Sequence, residues 1–419
     1  MNRLRCVKGM HDILPGEMPA WHYLEDTYRD LVERYGYEEI RTPVLEPIEL
    51  FVRGIGEETD IVEKEMYAFK DKGEAHLALR PEGTASVIRA YLQHNLGGQN
   101  PVNKLYYLGP MFRRERPAKG RYRQFFQAGA ELIGVEEPTA DAEIIDMAVQ
   151  FLRELGIENV RVQLNSLGDG DTRPRYRSAL NDHFETKKQD LCSDCQRRLE
   201  TNALRVLDCK VKRCKEIAAE APSVLDFLSD DAKAHFESLQ ALLKENKTPF
   251  EIDNKMVRGL DYYTRTIFEV QGESESLGAQ ATIVGGGRYN NLVHEFGGKP
   301  TATIGFAFGI ERLLIMLGDL AKKKERTLFF IVGVGDNGLT RAGQLARKLR
   351  AFGIKTEVSY KSSSLRSQLK KADKYHAAVT LISGEDEAAR GAVTWRDMVS
   401  GDQEEIAIEA LTERLRTFK

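Results

Sequence analysis

The run Lys104–Gly134, KLYYLGPMFRRERPAKGRYRQFFQAGAELIG, narrows the fold more than any other stretch of the chain. Two apolar, aromatic-rich segments, Leu105–Phe112 and Phe125–Ile133, have strand composition, and the turn formers Pro117 and Gly120 lie between them. The run therefore predicts a hairpin with a long loop. That loop is crowded with cations: Arg113, Arg114, Arg116, Lys119, Arg121 and Arg123 fall within eleven residues, relieved only by Glu115. A guanidinium held at the end of a strand suits a phosphate, because its planar fork donates two parallel hydrogen bonds. The rest of the loop suits a polyanion. Beyond it Gln127 and Glu131 stand four residues apart, so on an extended strand they point to the same face. A solvated basic loop would account for the charges, but not for a Gln and a Glu on an otherwise apolar strand.

Composition sets the outer bounds. At 419 residues the chain has room for two or three domains, each with its own core. It carries 61 basic against 64 acidic residues, a net charge of −3. That excludes a globally basic nucleic-acid coat and confines any RNA contact to local patches. The opening MNRLRCVKGMHDILPGE lacks the apolar stretch of a secretory leader, and no run nears the roughly eighteen apolar residues of a membrane span. Export and membrane insertion are not expected, and the cytoplasm is. Five cysteines, an odd number, suit a reducing compartment better than a disulfide framework. Four of them cluster as Cys192-x-x-Cys195 and Cys209-x-x-x-x-Cys214, a spacing compatible with a tetrahedral zinc site. No ribbon or knuckle motif surrounds them, so they are read here as soft apolar residues of a charged helical segment, and no metal is assigned.

Along the chain, Trp21, Leu24, Tyr28, Leu31 and Tyr35 recur at steps of three and four, predicting an amphipathic helix over Pro19–Tyr35 that Gly36 ends. YEEIRTPVLEP reads as a strand, and Pro43 inside it implies an edge or interface position. Leu77–Arg80 reads as a strand leading through Pro81, Glu82, Gly83 and Thr84 into a helix over Ala85–Gln93. Asp141–Leu155 is a second amphipathic helix and Val160–Leu164 another strand. From Asp169 to about Asn246 the texture turns highly charged and helical, which reads as an insertion. Strand composition returns at Phe250 and continues to GFAFGIERLLIML through turns rather than helices, so an antiparallel sheet fits. Lys322–Arg326 reads as a linker. Beyond it strands (Leu328–Val334, Thr356–Tyr360, Ala377–Ser383) alternate with helices (Leu339–Phe352, Leu365–Lys374), predicting a small α/β unit with a parallel sheet.

Gly333-Val-Gly335-Asp-Asn-Gly338 follows a strand and opens a helix, with Glu357 on the next strand, as in a dinucleotide fingerprint. The unit is only half of a dinucleotide fold, so the motif is taken as a glycine-rich turn on a module with another task. Arg258-Gly-Leu-Asp261-Tyr262-Tyr263-Thr-Arg265 is denser in chemistry. Its glycine lets a ligand approach the backbone, and its tyrosines can stack on a base or donate hydroxyls. Gly285-Gly286-Gly287-Arg288-Tyr289 permits a similar approach. Gly305-Phe-Ala-Phe-Gly309-Ile-Glu311-Arg312 runs from strand to helix and puts Arg312 in the first turns, a natural place for a triphosphate or a purine face. Arg113, Arg258 and Arg312 can thus converge on one nucleotide.

Together these motifs resemble a class II aminoacyl-tRNA synthetase over nearly the whole chain. GYEEIRTPVLEP is similar to the first motif of the class, a dimer-interface helix and strand; MFRRERPAKGRYRQFFQAGAE is similar to its second, and GFAFGIERL to its third. RGLDYYTRTIFEV, IVGGGRYNNLV and KGMHDILP (Lys8–Pro15) resemble signatures of the histidyl-tRNA synthetase family. The resemblance implies an α+β fold with an antiparallel six-stranded catalytic sheet and flanking helices over 1–168 and 247–321. It also implies a helical insertion at 169–246, a linker at 322–326 and a C-terminal α/β anticodon-binding domain at 327–419. ATP with Mg2+, L-histidine and tRNA(His) would be its ligands, and a homodimer its assembly. Arg113 would bind the α-phosphate, Arg121 and Arg312 the ATP, and Arg258 both the α-phosphate and the histidine carboxylate. Glu82, Thr84 and Gln127 would hold the amino group. Glu131 and Tyr263 would read the two imidazole nitrogens, with Tyr262 alongside. Arg116, Lys119 and Arg123 in the loop, and Arg366, Lys370 and Lys371 in the C-terminal unit, would contact tRNA. Two other readings stand beside this one. A synthetase-like regulatory subunit of the first enzyme of histidine biosynthesis would be expected to lack the anticodon domain and some of the arginines that this chain keeps. A dinucleotide oxidoreductase rests on the glycine-rich turn alone.

Overall fold

The structure, a computed structural model, describes residues 4–56, 59–272, 281–318 and 328–415. The expected linker at 322–326 lies outside the described residues. The chain divides into two compact units, residues 1–323 and 324–419.

One sheet organises the first unit, in the order Glu38–Glu39, Asn103–Phe112, Gln124–Ile133, Thr303–Gly309, Ala281–Arg288, Thr264–Gly272, Val160–Ser166 and Phe250–Ile252. The inner six strands are antiparallel, and each edge gains one short parallel strand. The expected antiparallel six-stranded sheet is therefore corrected to an eight-stranded mixed one. At one edge the cause is Pro43, which has no N–H for a ladder and splits YEEIRTPVLEP in two. Glu38–Glu39 pairs in parallel with Leu105–Tyr106, while Leu45–Pro47 joins a separate three-stranded sheet with His76–Leu79 and Tyr67–Lys70. At the other edge, the helical segment after Ser166 brings the chain back so that Phe250–Ile252 runs parallel to Val162–Leu164.

The hairpin pairs Leu105 with Glu131 and Gly109 with Gln127, and on its other side Thr303–Gly309 puts Gly305 opposite Glu131. Strand alternation then sorts the faces. Ala128, Ala130 and Leu132 meet the helices Met18–Arg34 and Pro138–Glu154, whose Trp21, Leu24, Tyr28, Ile144, Met147 and Phe151 are buried against them. Burying each such large side chain contributes about 1.5–3 kcal/mol. Gly36, at φ +81°, turns the chain out of the first helix in a conformation suited to glycine. On the opposite face lie Tyr107, Tyr262, Tyr263 and Tyr289, around the cavity described below.

The segment after Ser166 is helical: Thr172–Glu185, Ser193–Thr201, Lys212–Ala219 and Asp230–Glu245. The last is capped by Ser229 Oγ, which accepts from Ala232 N at 3.2 Å, and its Phe236, Leu239 and Leu243 join the main core. The first three enclose a separate small core of Tyr176, Leu180, Phe184, Leu199, Ile217 and the clustered cysteines.

The second unit has a five-stranded sheet in the order Thr356–Val358, Phe329–Gly333, Val379–Ser383, Ala392–Asp397 and Gln403–Ala407. The first three strands are parallel as expected, but the last two are antiparallel, so the sheet is mixed. The terminal strand, Gln-Glu-Glu-Ile-Ala, is mostly exposed and carries little apolar signal, which is why its sequence does not announce it.

Candidate active site

The outward face of the hairpin opens on a small cavity. Glu82, Thr84, Arg113, Gln127, Glu131, Arg258, Tyr262 and Tyr263 line it, joined by Tyr289 and by the backbone of Gly285 and Gly305. Glu131 forms its floor at 1% exposure. Thr84 Oγ1 donates to Glu131 Oε1 at 2.8 Å, and Tyr289 OH donates to Oε2. Glycine is required beside it, since a Cβ on Gly305 would lie 1.8 Å from Glu131 Oε2. Burial pushes the Glu131 carboxyl up to about 8, against the pull of its two hydroxyl donors and with help from nearby Glu82. The pocket by itself therefore holds a proton at neutral pH.

Glu82 closes the N-terminus of the helix Thr84–Gln93: its oxygens accept from Thr84 N at 2.6 Å and from Ala85 N at 2.9 Å. Burial raises its pKa, and those backbone donors oppose the rise. Gln127 Oε1 accepts from Gly83 N at 3.2 Å. The three residues expected at the amino group are thus one linked frame, tied through Thr84 to Glu131.

The arginines are oriented by neighbours. Arg113 Nε donates to Pro81 O at 2.9 Å, and its guanidinium lies over the Phe125 ring, 5.4 Å from the centroid. Arg258 is ion-paired with Glu269 and lies 5.9 Å over Tyr263, with Gly285 leaving it room: a Cβ there would sit 2.1 Å from Arg258 Nη2. Arg258 Nε and Arg312 Nε are both buried without a hydrogen-bond partner among the described residues. Burial and, next, the positive charge of nearby Arg121 lower the Arg312 pKa, as expected where two guanidiniums face a shared anion. Three residues with no role assigned from the sequence complete the site. Tyr289 holds Glu131, Glu269 holds Arg258 while accepting from Thr282 Oγ1 at 2.5 Å, and Glu311 accepts Phe126 N with both oxygens at 2.9 and 3.0 Å. Burial raises Glu311 to about 7.

Of the loop cations, Arg116, Lys119 and Arg121 are exposed. Arg123 is not free for a polyanion: its guanidinium donates to Glu115 O at 3.3 Å and Lys8 O at 3.4 Å, and its amide to Gly9 O at 2.7 Å. It fastens the KGMHDILP segment to the loop instead. In the second unit Arg366 and Lys370 are exposed on the helix Leu365–Lys374, and Lys371 Nζ donates to Ser359 Oγ at 3.1 Å.

The glycine-rich turn at Gly333 is a packing device. A Cβ on Gly333 would lie 1.9 Å from Gly338 O. Gln368 takes both its amide (3.3 Å) and its carbonyl (2.8 Å), and Asp336 N donates to Glu385 at 2.9 Å. The amides of Gly333, Val334, Asp336 and Gly338 in this turn already have partners. The cysteines depart from the expectation too: the sulfurs of Cys192, Cys195, Cys209 and Cys214 lie within 4.8 Å of one another, a convergence that a purely apolar role does not require.

Among known proteins, the family model of histidyl-tRNA synthetase matches residues 9–313, and that of the anticodon binding domain matches residues 329–418. A histidine–tRNA ligase of Geobacillus sp. (strain WCH70) is 46% identical over 413 residues, 98% of each chain. One from Geobacter metallireducens is 48% identical over 403 residues, covering 96% of this chain and 97% of its own. The crystal structure of apo S. aureus histidyl-tRNA synthetase superposes with a TM-score of 0.83 at 38% identity, covering 98% of this chain and 99% of that one. A Bacillus halodurans protein described as an ATP phosphoribosyltransferase regulatory subunit/histidyl-tRNA synthetase shares the fold at a TM-score of 0.64 and 22% identity, over 90% of this chain and 97% of its own. With the catalytic and anticodon-binding models both matched and relatives aligned along nearly its full length, the chain belongs to the histidyl-tRNA synthetase family.

Proposed function

We propose that the chain is a histidine–tRNA ligase, which activates L-histidine with ATP and transfers the histidyl group to the 3′ end of tRNA(His). The observation that carries the amino-acid assignment is Glu131, a carboxyl buried on the floor of a pocket walled by tyrosines and held by the Thr84 and Tyr289 hydroxyls, where burial pushes it up to about 8. Imidazole has two ring nitrogens and titrates in the same range. Glu131 takes one nitrogen and Tyr263 the other, with Tyr262 alongside. Any other amino acid leaves those buried groups unpaired, which is worth roughly four to five decades of discrimination.

Glu82, Thr84 and Gln127 hold the α-amino group, and Arg258 holds the carboxylate. One carboxylate oxygen attacks the α-phosphorus of ATP; the bond from that phosphorus to the bridging oxygen breaks, and pyrophosphate leaves with the electron pair. Charge grows on the equatorial oxygens, where Arg113 and Arg258, already oriented by Pro81, Phe125, Glu269 and Tyr263, stabilise it without solvent reorganisation. Arg121 and Arg312 bind the rest of the nucleotide, and Mg2+ enters as part of the ATP substrate. The 3′-terminal ribose hydroxyl of tRNA then attacks the carbonyl carbon and AMP leaves. No side chain forms a covalent bond. Arg116 and Lys119 meet the tRNA from the first unit, and Arg366, Lys370 and Lys371 from the second.

A homodimer is part of the same proposal, supported by the likeness of YEEIRTPVLEP to an interface motif and by Leu45 within it, which is 42% exposed. So is a cytoplasmic location; among the described residues no helix is long and apolar enough to cross a membrane. The regulatory-subunit reading is disfavoured by the retained Arg113, Arg258 and Arg312 and by the second unit. ATP–pyrophosphate exchange across the standard amino acids tests the proposal. Exchange driven by L-histidine alone is expected; exchange driven equally by another amino acid, or by none, overturns it.

A further inference from the structure

We infer that the helical insertion binds one zinc ion through Cys192, Cys195, Cys209 and Cys214, and that this site steadies the loop that carries Asp261, Tyr262 and Tyr263. In a tetrahedral zinc tetrathiolate with Zn–S bonds of about 2.3 Å, neighbouring sulfurs lie about 3.8 Å apart. Cys192 Sγ and Cys209 Sγ are 3.9 Å apart, and all four sulfurs fall within 4.8 Å. None is in a disulfide, which would bring two sulfurs to about 2.0 Å.

The chain builds this cluster in two halves. Cys192 is the N-cap of the helix Ser193–Thr201, with Cys195 in its first turn. Cys214 lies in the first turn of the helix Lys212–Ala219, and Cys209 precedes it on the turn. Helix N-termini favour thiolates over thiols. Cys192 N also donates to Cys214 Sγ at 3.3 Å, the kind of outer contact that orients a metal-bound sulfur. Lys210 and Lys212 flank Cys209 and Cys214 in the sequence and add positive charge to a segment whose tetrathiolate would carry a net −2. Cys195, Cys209 and Cys214 are buried and Cys192 is half-buried, so the ligand set is closed and structural rather than open and catalytic. The core around the sulfurs is small and separate from the main one, where a metal contributes most to folding.

Between Cys195 and Cys209 the chain reaches the wall of the candidate active site. Arg198 and Arg205 both pair with Asp60, at 3.5 and 3.2 Å. Asn202 Nδ2 donates to Asp261 Oδ1 at 3.4 Å, and Arg173 Nη1, from the first helix of the insertion, donates to Asp261 O at 2.8 Å. Asp261 immediately precedes the tyrosine pair. Zinc fixes both ends of the 196–208 segment, and the segment in turn holds the loop. This second link rests on the proposed function; the metal site does not.

The test begins with elemental analysis of the full-length protein, purified without chelator or added metal. One zinc per chain is expected, exchangeable for Co(II) with the intense visible absorption of a tetrahedral tetrathiolate. Cys195→Ser and Cys209→Ser should lose it, and because either can fail to fold, the native protein is also stripped with a mercurial and chelator and then reloaded. Metal-free native protein with all its cysteines reactive, or with disulfides among these four, overturns the site. For the second link, Asn202→Ala, which removes the segment's contact to Asp261, should keep the zinc yet raise the histidine KM about two- to tenfold, the effect of one lost hydrogen bond, with the ATP KM nearly unchanged. An unchanged histidine KM in that variant overturns the coupling. Zinc-loaded protein that supports no histidine-dependent exchange would defeat the ligase reading and leave the metal site standing.

Discussion

Glu131→Gln preserves the shape of the pocket floor and removes its titration. Two hydroxyls, Thr84 Oγ1 and Tyr289 OH, donate to the carboxylate; an amide can accept from one and must present its NH2 to the other. Toward histidine, a charge-assisted hydrogen bond worth about 1.5–3 kcal/mol becomes a neutral one worth about 0.5–1.5. The loss of about 1–1.5 kcal/mol, at about 1.4 kcal/mol per decade, should lower kcat/KM for histidine roughly five- to twelvefold. The pH dependence is more diagnostic. The free imidazole loses its proton near pH 6.5, and Glu131 loses its own at about 8. The bound pair shares one proton, so binding must release a proton below the first value and take one up above the second. The ratio of wild-type to variant kcat/KM should therefore decline as pH rises past about 8, a comparison in which any titration of the histidine α-amino group cancels. Stability should shift in the same sense, over a lower pH window. The folded carboxyl titrates above its unfolded value of about 4.3, so wild-type stability is lost as pH rises between about 4.3 and about 8, by an upper bound on the order of 5 kcal/mol. The variant has no such loss, so its melting temperature should overtake that of the wild type as pH rises, with the gap levelling above about 8. Histidine-dependent exchange and thermal melts across pH measure both. A kcat/KM loss under about threefold, or a ratio flat through pH 8, would refute the placement of a protonated Glu131 against the imidazole.

Arg258→Ala should slow adenylate formation by about two to three decades while weakening ATP binding far less, with Arg258→Lys rescuing only in part. Single-turnover measurement of both half-reactions on folded protein checks this, and equal loss in adenylate formation and in transfer would reject it. Gly305→Ala forces a Cβ to 1.8 Å from Glu131 Oε2, so histidine KM should rise and stability fall by about 1–3 kcal/mol, read by exchange kinetics and melting. Arg366→Gln with Lys370→Gln should weaken tRNA binding and flatten its salt dependence by about one in slope for each phosphate no longer neutralised, with histidine-dependent exchange unchanged. Binding titrations at several salt concentrations measure it.

Features governed by neighbours along the chain were legible in the sequence, and features governed by pairing between distant strands were not. The helix Met18–Arg34 follows from the spacing of Trp21, Leu24, Tyr28 and Leu31, and the shared face of Gln127 and Glu131 follows from the period of a strand. Glu269 carries no such local signal. It matters because Thr264–Gly272 pairs with Ala281–Arg288 so that Glu269 stands opposite Gly285, the residue that leaves room for Arg258. The two-residue edge strand Glu38–Glu39 is likewise invisible until Leu105–Tyr106 offers it a partner. The cysteine spacing allowed four sulfurs to meet but could not decide that they do, since the turn between Cys195 and Cys209 is set by contacts to Asp60 and Asp261 far along the chain.

Arg288 and Tyr289 show how adjacent residues of one motif take opposite tasks. Period-two alternation sends Tyr289 to Glu131 in the cavity and Arg288 to the other face of the sheet. There Arg288 is fully buried, paired with Asp141 and bonded to Val135 O at 3.0 Å and Glu137 O at 2.9 Å. Asp141 also meets His235 at 3.2 Å, on the last helix of the insertion, and His235 Nδ1 lies 3.4 Å from Arg265 Nη1. A buried pair of this kind costs desolvation and is weak evidence for net stability, but removing one partner would strand the other charge. What it fixes is position. The strand that ends at Arg288, just before Tyr289, the helix over the opposite face and the insertion are bonded into one frame, so the cavity side chains are held before any ligand arrives. A transition state stabilised by oriented guanidiniums needs such a frame, because each must already point where charge will develop.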